Sequence, residues 1–284
     1  MDPRKESGFA IGIGLNPWFG TVDPEAMGWL VVDEAIRNAV CAGANPDLCS
    51  LLDNFSWGDP RDPEILGQLS ATVDGMCRAS IAFGAPFVSG KDSLNNAWTE
   101  ADGSRKSIPP TLVVTAVAAT NASNAITSDL KQAGNALLLI GNTASEFGGS
   151  HLAKLLGVDG GAAPTPDADA PARYRNLHTA MTRGLIVSAH DCAEGGLAVA
   201  LAEMCIAGGL GAVIDTVPAS DETVAWFAES SSRIVLEVEQ RNVDAVIELI
   251  GGPAVVIGTV TDGDYLQLLD NEVAVGDLKK AWQR

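Results

Sequence analysis

Ser89-Gly90-Lys91-Asp92-Ser93 is a run whose residue types suit phosphate chemistry. A glycine after a strand lets backbone N–H groups approach an anion, and a neighbouring lysine adds charge. It is not a Walker A loop, which needs glycine where Ala85 stands and Ser or Thr where Asp92 stands. By itself the pentapeptide also reads as an ordinary turn. Asp53 ends a predicted strand at 48–53, a place where α/β architectures turn carboxylates toward a ligand crevice; a capping aspartate is the other reading. Glu34 and Asn38 are four apart on a predicted helix, so their oxygens share one face and suit Mg²⁺, a hard cation. Asp33 and Arg37 have the same spacing, which leaves open an ion-paired, solvated face. In His190-Asp191-Cys192-Ala193-Glu194-Gly195-Gly196-Leu197, glycines precede a predicted helix. Asp191 and Glu194 there read either as ligands of a metal or phosphate site or as helix-capping acids. Glu146 to Ser150 and Phe227 to Arg233 read as structural turns beside strands.

The elements that position these residues follow from periodicity and breakers. Strands are predicted at 9–15, 48–53, 87–89 and 108–119, with helices at 24–40, capped by Asp23, and 63–83. Residues 121–129 are polar and turn-rich, a plausible junction. A second pattern follows: strands at 136–140, 186–189, 213–217, 234–238 and 254–260, and helices at 176–184, 197–208 and 243–250. Residues 160–172 are rich in Gly, Ala, Pro and Asp and read as a surface loop. The expectation is a mixed α/β (α+β) protein of two domains, 1–124 and 125–284.

The 284 residues carry a formal charge of −18, which disfavours nucleic acid as a partner. No apolar run is long enough for a membrane span and the N-terminus lacks signal-peptide order, so a cytoplasmic protein is expected. Five cysteines without a C-x-x-C pair read as reduced thiols, and the three histidines form no zinc pattern.

Taken in order, the motifs resemble the synthetase subunit of phosphoribosylformylglycinamidine synthase. The resemblance rests on Glu34 to Asn38, Gly43-Ala44-Asn45-Pro46, Asp53, Val88 to Asn96 and Ile108-Pro109-Pro110-Thr111. In the second half it rests on Gly148-Gly149-Ser150, His190-Asp191, Gly195-Gly196-Leu197, and Glu229-Ser230 with Arg233. It covers nearly the whole chain. The implied fold is an aminoimidazole-ribonucleotide-synthetase-like A domain, partial at its start, followed by its B domain. Such synthetases hold two tandem A–B copies, and this sequence resembles the second. The first copy, with the catalytic residues, and a glutaminase domain or subunit supplying ammonia are implied as partners.

The reaction so implied converts formylglycinamide ribonucleotide, ATP and glutamine or ammonia to the amidine, ADP and phosphate, with ATP and Mg²⁺ as cofactors. By position, Asp53, Gly90 and Lys91 match ATP-binding places and Ser93 a substrate-binding one. Glu34, Asn38 and Asp191 match metal places of a nucleotide site, catalytic or structural. Lys91 stands where shorter members carry a metal-binding Asn. An ammonium cannot ligate Mg²⁺, so phosphate is the contact open to it. Ala193 replaces a family Ser. The alternatives are a non-catalytic, nucleotide-binding or supporting half of such a synthetase, or another ATP-dependent enzyme of the same superfamily.

Overall fold

The computed structural model describes residues 6–284; the first five residues of the expected first domain lie outside it. β1 (Ser7–Gly14) runs into α1 (Pro17–Val22) and α2 (Pro24–Cys41). β2 (Cys49–Ser56), α3 (Pro63–Phe83), β3 (Phe87–Ser93), the hairpin β4 (Ala97–Thr99) and β5 (Arg105–Ser107), and β6 (Thr111–Asn121) follow. A four-stranded sheet has the order β1-β6-β2-β3, in which only β2 and β3 are parallel.

The chain continues through β7 (Ala136–Ile140), α4 (His151–Leu156), α5 (Ala170–Thr182), β8 (Ser188–Asp191), α6 (Gly196–Gly208) and β9 (Gly211–Ile214). α7 (Glu222–Phe227), β10 (Ile234–Val238), α8 (Val243–Ile250), β11 (Ala254–Thr261), β12 (Tyr265–Leu268), β13 (Asn271–Ala274) and α9 (Val275–Trp282) complete it. Their strands form a separate seven-stranded mixed sheet, β13-β12-β9-β11-β7-β10-β8. The fold class is mixed α/β, as the sequence indicates.

The sequence explains the layering. Along β1, Phe9, Ile11 and Ile13 point to one face, and Ala10, Gly12 and Gly14 to the other. The glycine face seats α2 so closely that a Cβ at Gly12 would run into the Ala35 carbonyl oxygen, and one at Gly14 into that of Val31. α2 is buried along most of its length, with apolar side chains over most of its surface and Asp33, Glu34, Arg37 and Asn38 forming one polar face. It lies against β1, β6 and α3, and also touches β8 and α5 of the second half. In the larger sheet β7 is buried on both faces: Ala136, Leu138 and Ile140 enter one core, Leu137 and Leu139 the other. The first of these cores also contains α2 residues such as Val32 and Ile36, so the halves share it.

Several expectations are corrected. Asp53 does not end its strand: β2 continues to Ser56, because Phe55 is buried and Asn54 to Ser56 pair with Lys91 to Ser93. Ser89 to Ser93 is not a turn but the last five of the seven residues of β3, for the same reason. The sequence reading missed α1, α4, α7, the β4–β5 and β12–β13 hairpins, and α9. These are elements of at most eight residues, too short for a period to declare itself. The expected strand from residue 108 begins at Thr111, since Pro109 and Pro110 carry no N–H to donate.

Gly12→Ala should therefore lower stability by about 1–3 kcal/mol, the usual cost of overpacking. Gly8→Ala, whose Cβ would meet only Ala122 Cβ at 3.7 Å, serves as the control and should change little. Urea denaturation of the two variants checks this.

Candidate functional site

The structure divides the sequence-predicted site residues into two groups. The first lies on the open edge strand β3. Asp53 and Gly90 are direct partners in the parallel β2–β3 ladder. Their side is the one that Leu51 and Phe55 share, and a Cβ on Gly90 would collide with both carboxylate oxygens of Asp53. Glycine is required at 90 by that contact, not by a turn. Partial burial and the charge of Asp92, on the same face, raise the Asp53 pKa. Lys91 and Ser93 alternate to the opposite face, where the Lys91 ammonium donates to Ser93 Oγ. The four residues thus flank one sheet edge from two sides instead of lining a single-faced crevice.

The second group stands where α2 meets β8 and the loop before α6. Asn38 Nδ2 donates to Asp191 Oδ2 at 3.1 Å and to the Glu34 carbonyl at 3.2 Å. Glu34 Oε2 accepts the Leu15 N–H at 2.9 Å. The i,i+4 spacing read from the sequence does put Glu34 and Asn38 side by side, and the tertiary fold brings Asp191 to them. The solvated-face reading of Asp33 and Arg37 fails. Both are buried and ion-paired, with Tyr174 Oη donating to Asp33 at 2.6 Å and Ser232 Oγ at 3.0 Å. Arg37 Nε also reaches Asp191 Oδ2 at 3.4 Å. The capping reading fails as well: Gly195 occupies the N-cap of α6, with no side-chain cap bond.

These contacts test the metal expectation. Asp191 Oδ2 faces Arg37 Nε and Asn38 Nδ2, and Oδ1 lies 3.4 Å from His190 Nδ1. Burial alone would raise its pKa, but the His190 hydrogen bond and the Arg37 charge hold it below the usual carboxylate range. His190 is itself pushed up to about 9; its bonds to Asp191 and Glu203 outweigh the opposing effect of burial. Asp191 is therefore already neutralised by donors and does not present an open oxygen to Mg²⁺. Among the described residues no three His, Cys, Asp or Glu side chains are placed to hold a metal ion together. The trio as it stands does not fit direct ligation.

Sequence reasoning included Glu229 in the resemblance but gave it no site role; three of the loop motifs converge on it. Glu229 Oε1 accepts the N–H of His151, from the Gly148-Gly149-Ser150 loop, at 2.8 Å, and that of Gly195 at 2.9 Å. By itself, the Glu-Ser-Ser-Ser-Arg run reads as a turn. Arg233, from the same run, is buried and donates to the Ala228 and Ser230 carbonyls and to Thr143 Oγ1. The five cysteines are free, with Cys77 alone exposed. No helix of the described residues is long and apolar enough to cross a membrane.

Burial pushes Glu34 up to about 8; the charges of Glu194 and Asp191 add to this and Arg37 opposes it. A folded-state value above the unfolded 4.5 means full stability at acid pH, lost as pH rises through about 8. Glu34→Gln should keep the Leu15 bond and remove this loss. Its stability relative to the wild type should climb from pH 4.5 to about 8 in urea denaturation, and a constant difference would contradict the assignment.

Residues 7–120 match the model of the AIR synthase related protein N-terminal domain, and residues 132–271 that of its C-terminal domain. Among solved structures, phosphoribosylformylglycinamidine synthase II from Thermotoga maritima superposes with a TM-score of 0.75 at 18% identity, over 96% of this chain and 44% of that one. T. maritima PurL complexed with ADP gives 0.76 at 17%, over 96% and 44%. The hydrogenase maturation protein HypE gives 0.71 at 17%, over 94% of this chain and 88% of the other. At these identities the likeness is one of fold, and the chain spans less than half the length of the T. maritima proteins.

Proposed function

We infer the function of this chain from one premise: it belongs to the AIR synthase related protein family, a group of ATP-dependent enzymes. On that premise the chain is the second A–B half of a phosphoribosylformylglycinamidine synthase, with residues 1–124 and 125–284 as its two domains. The half contributes to a ligase that activates the formamide oxygen of formylglycinamide ribonucleotide with ATP and lets ammonia displace phosphate.

The observation that carries this reading is the Asp53–Gly90 pair at the edge of the smaller sheet. A carboxylate held against a bare backbone position gives a hydrogen-bond acceptor beside a surface that a nucleotide can approach without meeting a Cβ. On the other side of the edge, Lys91 supplies a mobile cation for phosphate and Ser93 a hydroxyl for substrate. Catalysis in such a reaction comes mainly from positioning and charge neutralisation, and these are groups of that kind. Mg²⁺ would supply charge neutralisation on the phosphates, but no step is assigned to Glu34, Asn38 and Asp191, whose geometry does not fit it.

The partner requirement has its own support. On the helix-free face of the smaller sheet, Phe9, Ile11 and Ile13 are between 55% and 62% exposed. An apolar sheet face of this kind favours burial against another sheet. The first A–B half, in the same chain or a partner subunit, is the occupant this reading assigns, with a glutaminase domain or subunit supplying ammonia and the cytoplasm as the setting. A second reading, another ATP-dependent enzyme of the superfamily, is favoured by the HypE likeness, since that chain is matched over 88% of its length.

The isolated chain should form no amidine from formylglycinamide ribonucleotide, ATP and ammonia, because it supplies one side of a two-sided site. Turnover by the purified chain would refute the reading. In the synthase containing both halves, Gly90→Val should displace the Asp53 carboxylate, and raise the KM for ATP or abolish turnover while circular dichroism stays native. Wild-type kinetics in that variant would remove the β3 edge from the nucleotide site.

A further inference from the structure

α6 carries apolar side chains on two of its sides. Leu197, Leu201, Met204 and Cys205 enter the core against the larger sheet. Ala198, Val199, Ala202 and Ile206 lie on another side, where a surface helix would be polar, so that side also needs apolar neighbours. α9, β12 and the end of α7 supply them only in part. Leu266 and Leu268, two apart on β12, share one face, and so do Leu278 and Trp282, four apart on α9. With only alanines opposite at 198 and 202, these side chains do not close the gap. They leave a pocket of about 330 Å³, a ligand-sized volume.

Glu203 interrupts the apolar lining. It stands with Ile206 and Trp282 where this pocket adjoins a second one of about 310 Å³, bordered by Ser128 and His190. Glu203 Oε2 meets His190 Nε2 at 2.9 Å, whereas Oε1 has no hydrogen-bond partner among the described residues. The Glu203 side chain is 36% exposed and Trp282 is 66% exposed, so both can be reached from solvent. Among the described residues no lysine or arginine lines either pocket, and the chain carries a formal charge of −18. A carboxylate oxygen beside an indole ring attracts an ammonium group and repels an anion.

We propose that this pocket binds a small primary amine with an aromatic or branched aliphatic body. The body lies between α6, β12 and α9, and the ammonium group donates to Glu203 Oε1 beside Trp282. Burial of the body supplies the attraction, and the charged hydrogen bond supplies the selection. The walls come from α6, α7, β12, β13 and α9 and not from β3 or α2, so the site does not rest on the ligase reading.

The probe is phenethylamine, titrated into the 284-residue chain and followed by ligand-observed NMR. Phenylacetate serves as the anion of matched body and phenethyl alcohol as the neutral one. One phenethylamine per chain is expected, with a Kd on the order of 1 mM, the scale for so small a ligand. Both matched compounds should bind at least about tenfold more weakly, as loss of a hydrogen bond between charged groups implies. Glu203→Gln should remove the advantage of the amine over the alcohol. Ala202→Leu, which fills the pocket from α6, should weaken amine and alcohol alike, and it carries the test if Glu203→Gln does not fold. Absence of saturable phenethylamine binding, equal affinity for either matched compound, or wild-type affinity in a folded variant overturns the proposal. So does a dimer in sedimentation that Ala202→Leu dissolves, which would give the pocket to a second copy of the chain.

Discussion

The buried carboxylate of Asp33 is the contact on which the arrangement of the two halves depends. It takes the guanidinium of Arg37 from its own helix, the phenol of Tyr174 from α5 and the hydroxyl of Ser232 from the segment leading into β10. One side chain of α2 thereby fastens the smaller sheet's central helix to two elements of the larger one. On a solvated helix face an i,i+4 ion pair contributes about 0.3–0.5 kcal/mol. In a water-free interface, deleting one partner of such a pair costs about 3–5 kcal/mol, because the other charge is stranded. The same four residues of spacing therefore mean little or much according to what closes over them.

Arg37 carries the constraint onward. Its Nε reaches Asp191, Asp191 meets His190, and His190 lies 2.9 Å from Glu203 of α6. This chain of alternating charges crosses from α2 through the end of β8 to the far helix. It also decides what Asp191 can do: an oxygen that is already the acceptor for a guanidinium and an amide is a positioned structural anion. Glu229 Oε2, buried with no hydrogen-bond partner, is a carboxylate oxygen to which no donor has been brought. Charge in this molecule is sorted by whether a donor has been brought to each carboxylate, more than by how many carboxylates there are.

The smaller sheet shows a similar economy in shape. Period-two alternation along β1 gives one face of Gly and Ala that admits α2 at close range, and one face of Phe and Ile that remains open. At the opposite edge, alternation along β3 puts Gly90 under Asp53 and turns Lys91 and Ser93 to the other side. One sheet thus offers a packing face, an apolar face for a partner and a polar edge for a ligand.

The elements legible in the sequence were those with a strong apolar pattern, a repeating spacing in α3 and α8 and unbroken or nearly unbroken apolar runs in β7 and β10. α3 at 63–83, β7 at 136–140, β10 at 234–238 and α8 at 243–250 stand where apolar spacing and flanking breakers place them. So does the N-cap of α2, where Asp23 accepts the Ala26 N–H at 2.9 Å. Of the candidate site, the residue types and the proximity of Glu34 to Asn38 were local and could be read. Whether Asp53 ended a strand, whether Asp33 and Arg37 met solvent, and whether Asp191 kept a free oxygen were not local. Ladder pairing from residue 91, a phenol at 174 and a hydroxyl at 232 decided them. The sequence by itself determined which segments could be helix or strand and which side chains could carry charge, since those depend on neighbours within a few residues. Only the tertiary structure decided which charges were buried, paired or left open, since that depends on partners more than 100 residues away brought within 3 Å, such as Tyr174 Oη at 2.6 Å from Asp33 across 141 positions.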